Sequence, residues 1–133
     1  MKLVAGEPAA RGQFSSSSAE PNLSVTAARH GAAQVLQIKG EVDATSAWRI
    51  DSAVMGLLPA QIVHGPIIVD LSGVTLFSAA GITALMTARK LCEGLTGFRI
   101  VAASPPVMRL LEATALSGEL AVYSTLDQAL TDS

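Results

Sequence analysis

One run of six residues, Pro66-Ile67-Ile68-Val69-Asp70-Leu71, constrains the fold of this chain more than any other. No polar side chain interrupts it before Asp70, so a strand built from it has no face to turn toward water. Strands with that pattern belong to parallel sheets whose two faces are both covered, usually by helices. The flanking periodicity agrees. Leu23 to Arg29 and Gln34 to Lys39 read as a hairpin turning at His30-Gly31, with Leu36 and Ile38 inward and Gln37 and Lys39 outward. After Gly40, Asp43 is placed to cap a helix running to about Leu58, with Ala47, Ile50, Val54, Leu57 and Leu58 as its apolar stripe and Pro59 as its end.

Beyond the run, Ser72-Gly73 turns the chain, and Val74 to Phe77 forms a short apolar stretch before a helix from about Ala80 to Leu95. Ile82, Leu85, Met86 and Cys92 line its inner face. Phe98 to Ala102 is the next strand, and Pro105-Pro106 opens a helix with Val107, Leu110, Leu111 and Thr114 inward. A strand from Leu120 to Tyr123 and a helix from Thr125 to about Thr131, capped by Ser124, close the chain. The order β-β-α-β-α-β-α-β-α implies right-handed crossovers and an α/β fold, with a mixed, mostly parallel sheet that opens on an antiparallel hairpin.

Residues 1–22 show neither period and are rich in Gly, Ala, Pro and Ser, including Ser15-Ser16-Ser17-Ser18. They bury too little apolar surface to offset their ordering entropy and read as a disordered N-terminal tail ahead of a single domain, 23–133. Nine Lys and Arg against eleven Asp and Glu do not make the basic surface that nucleic acid requires, and 4% aromatic residues leave no stacking platform. The lone Cys92 excludes an internal disulfide, and with His30 and His64 it cannot complete a zinc site without carboxylate help. No apolar stretch is long enough for a signal peptide or a membrane helix, which reads as a cytoplasmic protein without membrane insertion.

Catalytic signatures are absent: no phosphate loop, dinucleotide fingerprint, nucleophile elbow or zinc-protease helix. His30 falls in the hairpin turn and His64 in a loop beside Gly65-Pro66, both as surface residues. Glu41 and Asp43 form a close carboxylate pair that could serve acid–base or metal chemistry, although capping the first helix and complementing its dipole is the simpler role. Cys92 reads as a small core hydrophobe, since a reactive thiolate needs exposure and a basic neighbour. Trp48, which shares a helical face with Ser52 and Met55, fits either a partner surface or a rim position on the sheet edge.

What remains is the stretch from Asp70 to Ile82, which leads a buried strand into a helix N-terminus made only of small residues. Such an end presents unpaired N–H groups and a partial positive charge, and it lets an anion or another protein's backbone approach closely. Tight local packing is the alternative use of small residues there.

Four segments carry a resemblance to a known family: Gly40-Glu41-Val42-Asp43, Ile68-Val69-Asp70-Leu71-Ser72-Gly73-Val74, the turn into Gly81-Ile82-Thr83-Ala84-Leu85, and Val107-Met108-Arg109-Leu110-Leu111-Glu112 running to Leu116. From about Leu23 to Leu130 the chain resembles the STAS domains of bacterial anti-sigma factor antagonists. The resemblance implies a four- to five-stranded sheet with helices mainly on one face, and a non-enzymatic function in partner switching. An unphosphorylated antagonist binds an anti-sigma factor, typically a serine kinase-like ATPase, and frees a sigma factor; phosphorylation of a serine at the start of the second helix breaks the complex. It also implies a docking surface made by Gly40, Glu41 and Asp43 together with Ser78, Ala79, Ala80, Gly81 and Ile82. No cofactor is implied for this chain, because ATP would belong to the partner.

The chain departs from the family at the switch. The usual Asp-Ser-Ser-Gly turn is here Ser78-Ala79-Ala80-Gly81, so Ala80 stands at the acceptor position without a hydroxyl and Ser78 replaces the aspartate. Ser78 is the remaining candidate for a displaced acceptor. The expectation is an antagonist that phosphorylation at the usual position cannot release. The alternative is a cytoplasmic STAS subunit of a lipid transporter, seated on the transporter's ATPase, which needs no phospho-serine.

Overall fold

The computed structural model describes residues 18–20, 22–58, 65–114 and 118–132. At the centre of its six-stranded sheet lies β4 (Ile67–Phe77), flanked in parallel by β3 (Ala33–Val42) and β5 (Phe98–Val101). Ile67 through Leu71 are buried without exception, as a strand covered on both faces must be. Outward from β5 runs β6 (Ala121–Tyr123), also parallel, and outward from β3 run β2 (Leu23–His30) and the short β1 (Ser18–Glu20), both antiparallel.

Strand order follows chain order, so every crossover moves one position in the same direction. Right-handed connections that always step the same way must lie on one face of the sheet. Accordingly α1 (Trp48–Leu57), α2 (Ala79–Cys92) and α3 (Pro105–Ala113) share one core with Leu36, Ile38, Ile67, Val69, Leu71 and Ile100. The alternate residues Ala33, Val35, Ile68 and Val101 point to the other face, where α4 (Leu126–Thr131) covers them with Leu126, Ala129 and Leu130. Arg99 ties α4 down, its Nη1 donating to the Ala129 carbonyl at 2.5 Å while the guanidinium lies 6.0 Å from the Tyr123 ring. The Tyr123 hydroxyl donates to Asp132 at the end of α4, and that carboxylate raises the phenol's pKa.

Four local expectations are corrected. Asp43 does not cap α1, which begins five residues later at Trp48 behind Ala47, with no side-chain cap. Its carboxylate instead closes the preceding turn, because Thr45 and Ser46 offer nearer donors than any helix N–H. Ser72-Gly73 does not end the central strand. Asp70, buried in mid-strand, accepts from the Ser72 N–H and Oγ at 3.0 and 2.6 Å, and β4 absorbs an extra residue there as a bulge before pairing on to Phe77. The cap of α4 is Thr125, whose Oγ1 accepts from the Gln128 N–H at 3.1 Å, rather than Ser124. Finally, Ser18–Glu20 pairs with β2 inside the segment read as a tail. The rest of that segment apart from Asn22, and the expectations for Pro59 and His64, lie outside the described residues.

Candidate functional site

Because α1, α2 and α3 each follow a parallel strand, their N-termini gather at the carboxyl end of the sheet. Parallel pairing puts Val42 opposite Phe77, and the Ser78 N–H donates to the Val42 carbonyl at 3.0 Å. The two segments singled out in the sequence, Gly40 to Asp43 and Ser78 to Ile82, therefore lie side by side although 35 positions separate Gly40 from Thr75, whose Oγ1 donates to the Gly40 carbonyl at 3.3 Å.

Their residues divide by exposure. Ala79 and Glu41 are exposed, while Gly40, Asp43, Ser78 and Ala80 are partly so. Gly81 and Ile82 are buried and shape the turn from inside. A Cβ on Gly81 would sit 2.5 Å from the Phe77 ring, so any side chain there would displace that buried ring. Gly40 has φ +108°, and a Cβ there would collide with the Asn22 carbonyl oxygen.

At its start α2 is left open. Ser78 occupies the N-cap position in extended conformation, yet its side chain caps nothing, and no acidic residue stands in the first turn. The Gly81 N–H turns back to the Ser78 carbonyl at 2.9 Å. Ala79 and Ala80 thus present backbone donors and an uncompensated partial positive charge, whereas Arg89 and Lys90 complement the other end of the helix. The Ser78 Oγ is buried and makes no hydrogen bond among the described residues, so a kinase would have to rearrange the turn to reach it.

Asp43 organises the other half of the face. One of its oxygens accepts from the Thr45 N–H at 2.9 Å, the Thr45 Oγ1 at 2.7 Å and the Ser46 Oγ at 3.2 Å. These bonds, those from Thr45 foremost, hold its pKa below the ordinary carboxylate value. The carboxylate is therefore committed to structure. Glu41 contributes its carbonyl to the Ser46 Oγ at 3.2 Å, and its N–H donates to the Asn22 carbonyl at 2.7 Å. Among the described residues no group of three or more His, Cys, Asp or Glu could hold a metal ion.

Other candidates fall elsewhere. His30 is exposed at the far end of the hairpin, and Cys92 is buried on the inner face of α2, where desolvation pushes its thiol pKa up. Trp48 stands at the start of α1 with 61% of its surface exposed. Sequence reasoning missed Arg49, a buried cation whose Nη1 donates to the Leu23 carbonyl at 3.1 Å and helps fasten α1 to β2. It also missed an open groove of about 440 Å³ between the end of β4 and α3, lined by Leu76, Phe77, Arg109 and Leu110. No helix among the described residues is long and apolar enough to cross a membrane.

Comparison with known proteins agrees with this layout. The family described as "STAS domain" matches residues 24–129. A Mycobacterium tuberculosis protein named "Putative anti-anti-sigma factor Rv2638" is 34% identical over 106 residues, covering 75% of this chain and 68% of that protein. The crystal structure of an anti-sigma factor antagonist from Mycobacterium paratuberculosis superposes with a TM-score of 0.76 at 28% identity, covering 86% of this chain and 96% of that one. A sulfate transporter family protein from Wolinella succinogenes shares the fold at 17% identity and a TM-score of 0.57, covering 77% of this chain and 85% of that one.

Proposed function

The chain belongs to the STAS domain family, and from that premise we propose that it is an anti-sigma factor antagonist, acting by binding rather than by catalysis. The observation that carries this reading is its 34% identity to a protein named as an anti-anti-sigma factor. The geometry supplies the docking surface: the open start of α2 at Ala79 and Ala80, beside the loop from Gly40 to Asp43.

Topology supports a protein partner over a small ligand. In open α/β sheets small ligands enter a crevice where the strand order reverses. Among the described residues the strand order never reverses, so the sheet forms no crevice of that kind. What the start of α2 offers at the carboxyl end is small side chains and backbone donors, suited to close contact with another chain.

In this reading the partner is an anti-sigma factor of the serine kinase-like ATPase class, met in the cytoplasm, and ATP binds to the partner. Docking frees the sigma factor. Phosphoryl transfer to residue 80 cannot reverse it, because Ala80 offers no oxygen, and the buried Ser78 Oγ is a poor substitute. Control then falls to the abundance of the chain or to a signal acting on the partner. The transporter-subunit reading shares the fold with the Wolinella protein, but a likeness at 17% identity speaks to fold alone.

Incubation with the cognate anti-sigma factor and ATP, followed by intact-mass measurement and native electrophoresis, tests the reading. The natural chain is expected to stay unmodified and bound, while Ala80→Ser gains one phosphoryl group and is released. Efficient phosphorylation of the natural chain, or its co-purification with a transporter ATPase in place of an anti-sigma factor, would overturn it.

A further inference from the structure

Trp48 is the single tryptophan of the chain. It opens α1 with 61% of its surface exposed, the reverse of what the hydrophobic effect favours for so large a side chain. The ring is nevertheless held. Its Nε1 donates to the Thr45 carbonyl at 3.1 Å, and Thr45 is fixed in turn by two bonds to one oxygen of Asp43. A single carboxylate oxygen therefore sets the turn, and the turn sets the ring.

This arrangement has a consequence for binding. An indole whose only polar atom is satisfied within its own chain presents purely apolar surface outward, and little of its side-chain freedom is left to lose on contact. Beside it lies a hollow of about 210 Å³, walled also by Leu23, Asp43 and Arg49, into which a partner's side chain can reach.

Trp48 also stands at the same end of the sheet as the start of α2. Both helices begin at the carboxyl ends of neighbouring parallel strands and pack against each other. Asp43, which sets the ring, directly follows Val42, whose carbonyl accepts the Ser78 N–H.

We propose that Trp48, positioned by Asp43 through Thr45, is the apolar anchor of the docking face, its ring entering an apolar recess on the anti-sigma factor. The assignment rests on the anti-sigma reading above. A second copy of this chain is a poorer occupant on grounds of area. An indole buries at most about 250 Å², against roughly 800 Å² per partner in a stable interface, and the exposed Ser52 and Met55 on the same helical face extend it little. Trp48 must work as part of a larger surface, and the surface it adjoins is the α2 end.

The test labels the whole chain with 5-fluorotryptophan, so that Trp48 alone gives a fluorine resonance, and titrates it with the unlabelled cognate anti-sigma factor. The complex is expected to shift that resonance and shield it from solvent. Trp48→Ala should weaken binding by about 30-fold or more at an unchanged melting temperature, as loss of a hot-spot residue does. Trp48→Phe should recover part of the loss, and Asp43→Ala should broaden the resonance of the free chain and weaken binding less. A complex that forms with the resonance unmoved, and with Trp48→Ala binding like the natural chain, overturns the anchor and leaves the anti-sigma reading standing. Failure to bind the cognate anti-sigma factor at all overturns both. A resonance that moves with the chain's own concentration assigns the ring to a second copy and overturns the anchor.

Discussion

Gly40 shows how one residue can shape the face proposed here for docking through its backbone alone. Its φ of +108° and its close approach to the Asn22 carbonyl leave no room for a side chain at the point where β3 runs on to Asp43. Gly40→Ala is expected to cost about 1–3 kcal/mol of stability, the usual range for a side chain forced into such a conformation. Gly56 is the counterpart: it lies in α1 with nothing within 4 Å of an added Cβ. Gly56→Ala should therefore stabilise by about 0.5–1 kcal/mol. Urea titration of both variants checks the pair, and equal effects of the same sign would contradict the geometry. Neither role was legible beforehand. Family resemblance placed Gly40 in the docking surface, but its contact with Asn22 depends on the exact register and length of the hairpin strands, which alternation alone leaves open. The missing hydroxyl at Ala80, by contrast, could be read directly, because it is a matter of chemical identity.

At the scale of elements, three of the disagreements arise where short polar side chains bond to nearby groups of the chain. Asp43 precedes a helical period and looks like its cap, yet Thr45 and Ser46 satisfy its carboxylate first, and α1 starts later. Ser72-Gly73 looks like a turn, but Ser72 bonds back to Asp70 within a continuing strand. Ser124 and Thr125 are both able caps. Thr125 prevails, its Oγ1 accepting from the Gln128 N–H while the Gln128 Oε1 accepts from the Ser124 N–H. Thr125→Ala should accordingly cost about 1 kcal/mol, and Ser124→Ala should stay within about 0.5 kcal/mol. Chemical denaturation of the two variants decides between the caps, with the reverse ranking contradicting the assignment.

For the whole molecule, hydrophobic period carried most of the information. The unbroken run from Ile67 to Leu71 and the helical stripes around it imply a parallel sheet, and the observed succession of strands obeys the right-handed rule. The split of the helices between faces was less accessible. It depends on α4 covering Val35, Ile68 and Val101, residues whose burial is equally consistent with cover from either side. The candidate site was legible as two segments of the chain and illegible as a surface. Their adjacency comes from the pairing of β3 with β4, and the part played by Trp48 comes from a turn whose hydrogen bonds no periodicity reveals. Among the described residues the sheet has no switch point and the start of α2 is uncapped, and with an acceptor position lacking its oxygen these features support the proposed antagonist, one that phosphorylation at residue 80 does not release. The most direct measurement is the release of sigma factor from its complex with the cognate anti-sigma factor on adding this chain, followed by size-exclusion chromatography with and without ATP. Release that persists in the presence of ATP is the predicted result; an intact sigma complex at saturating chain, or release that ATP reverses, would contradict the account.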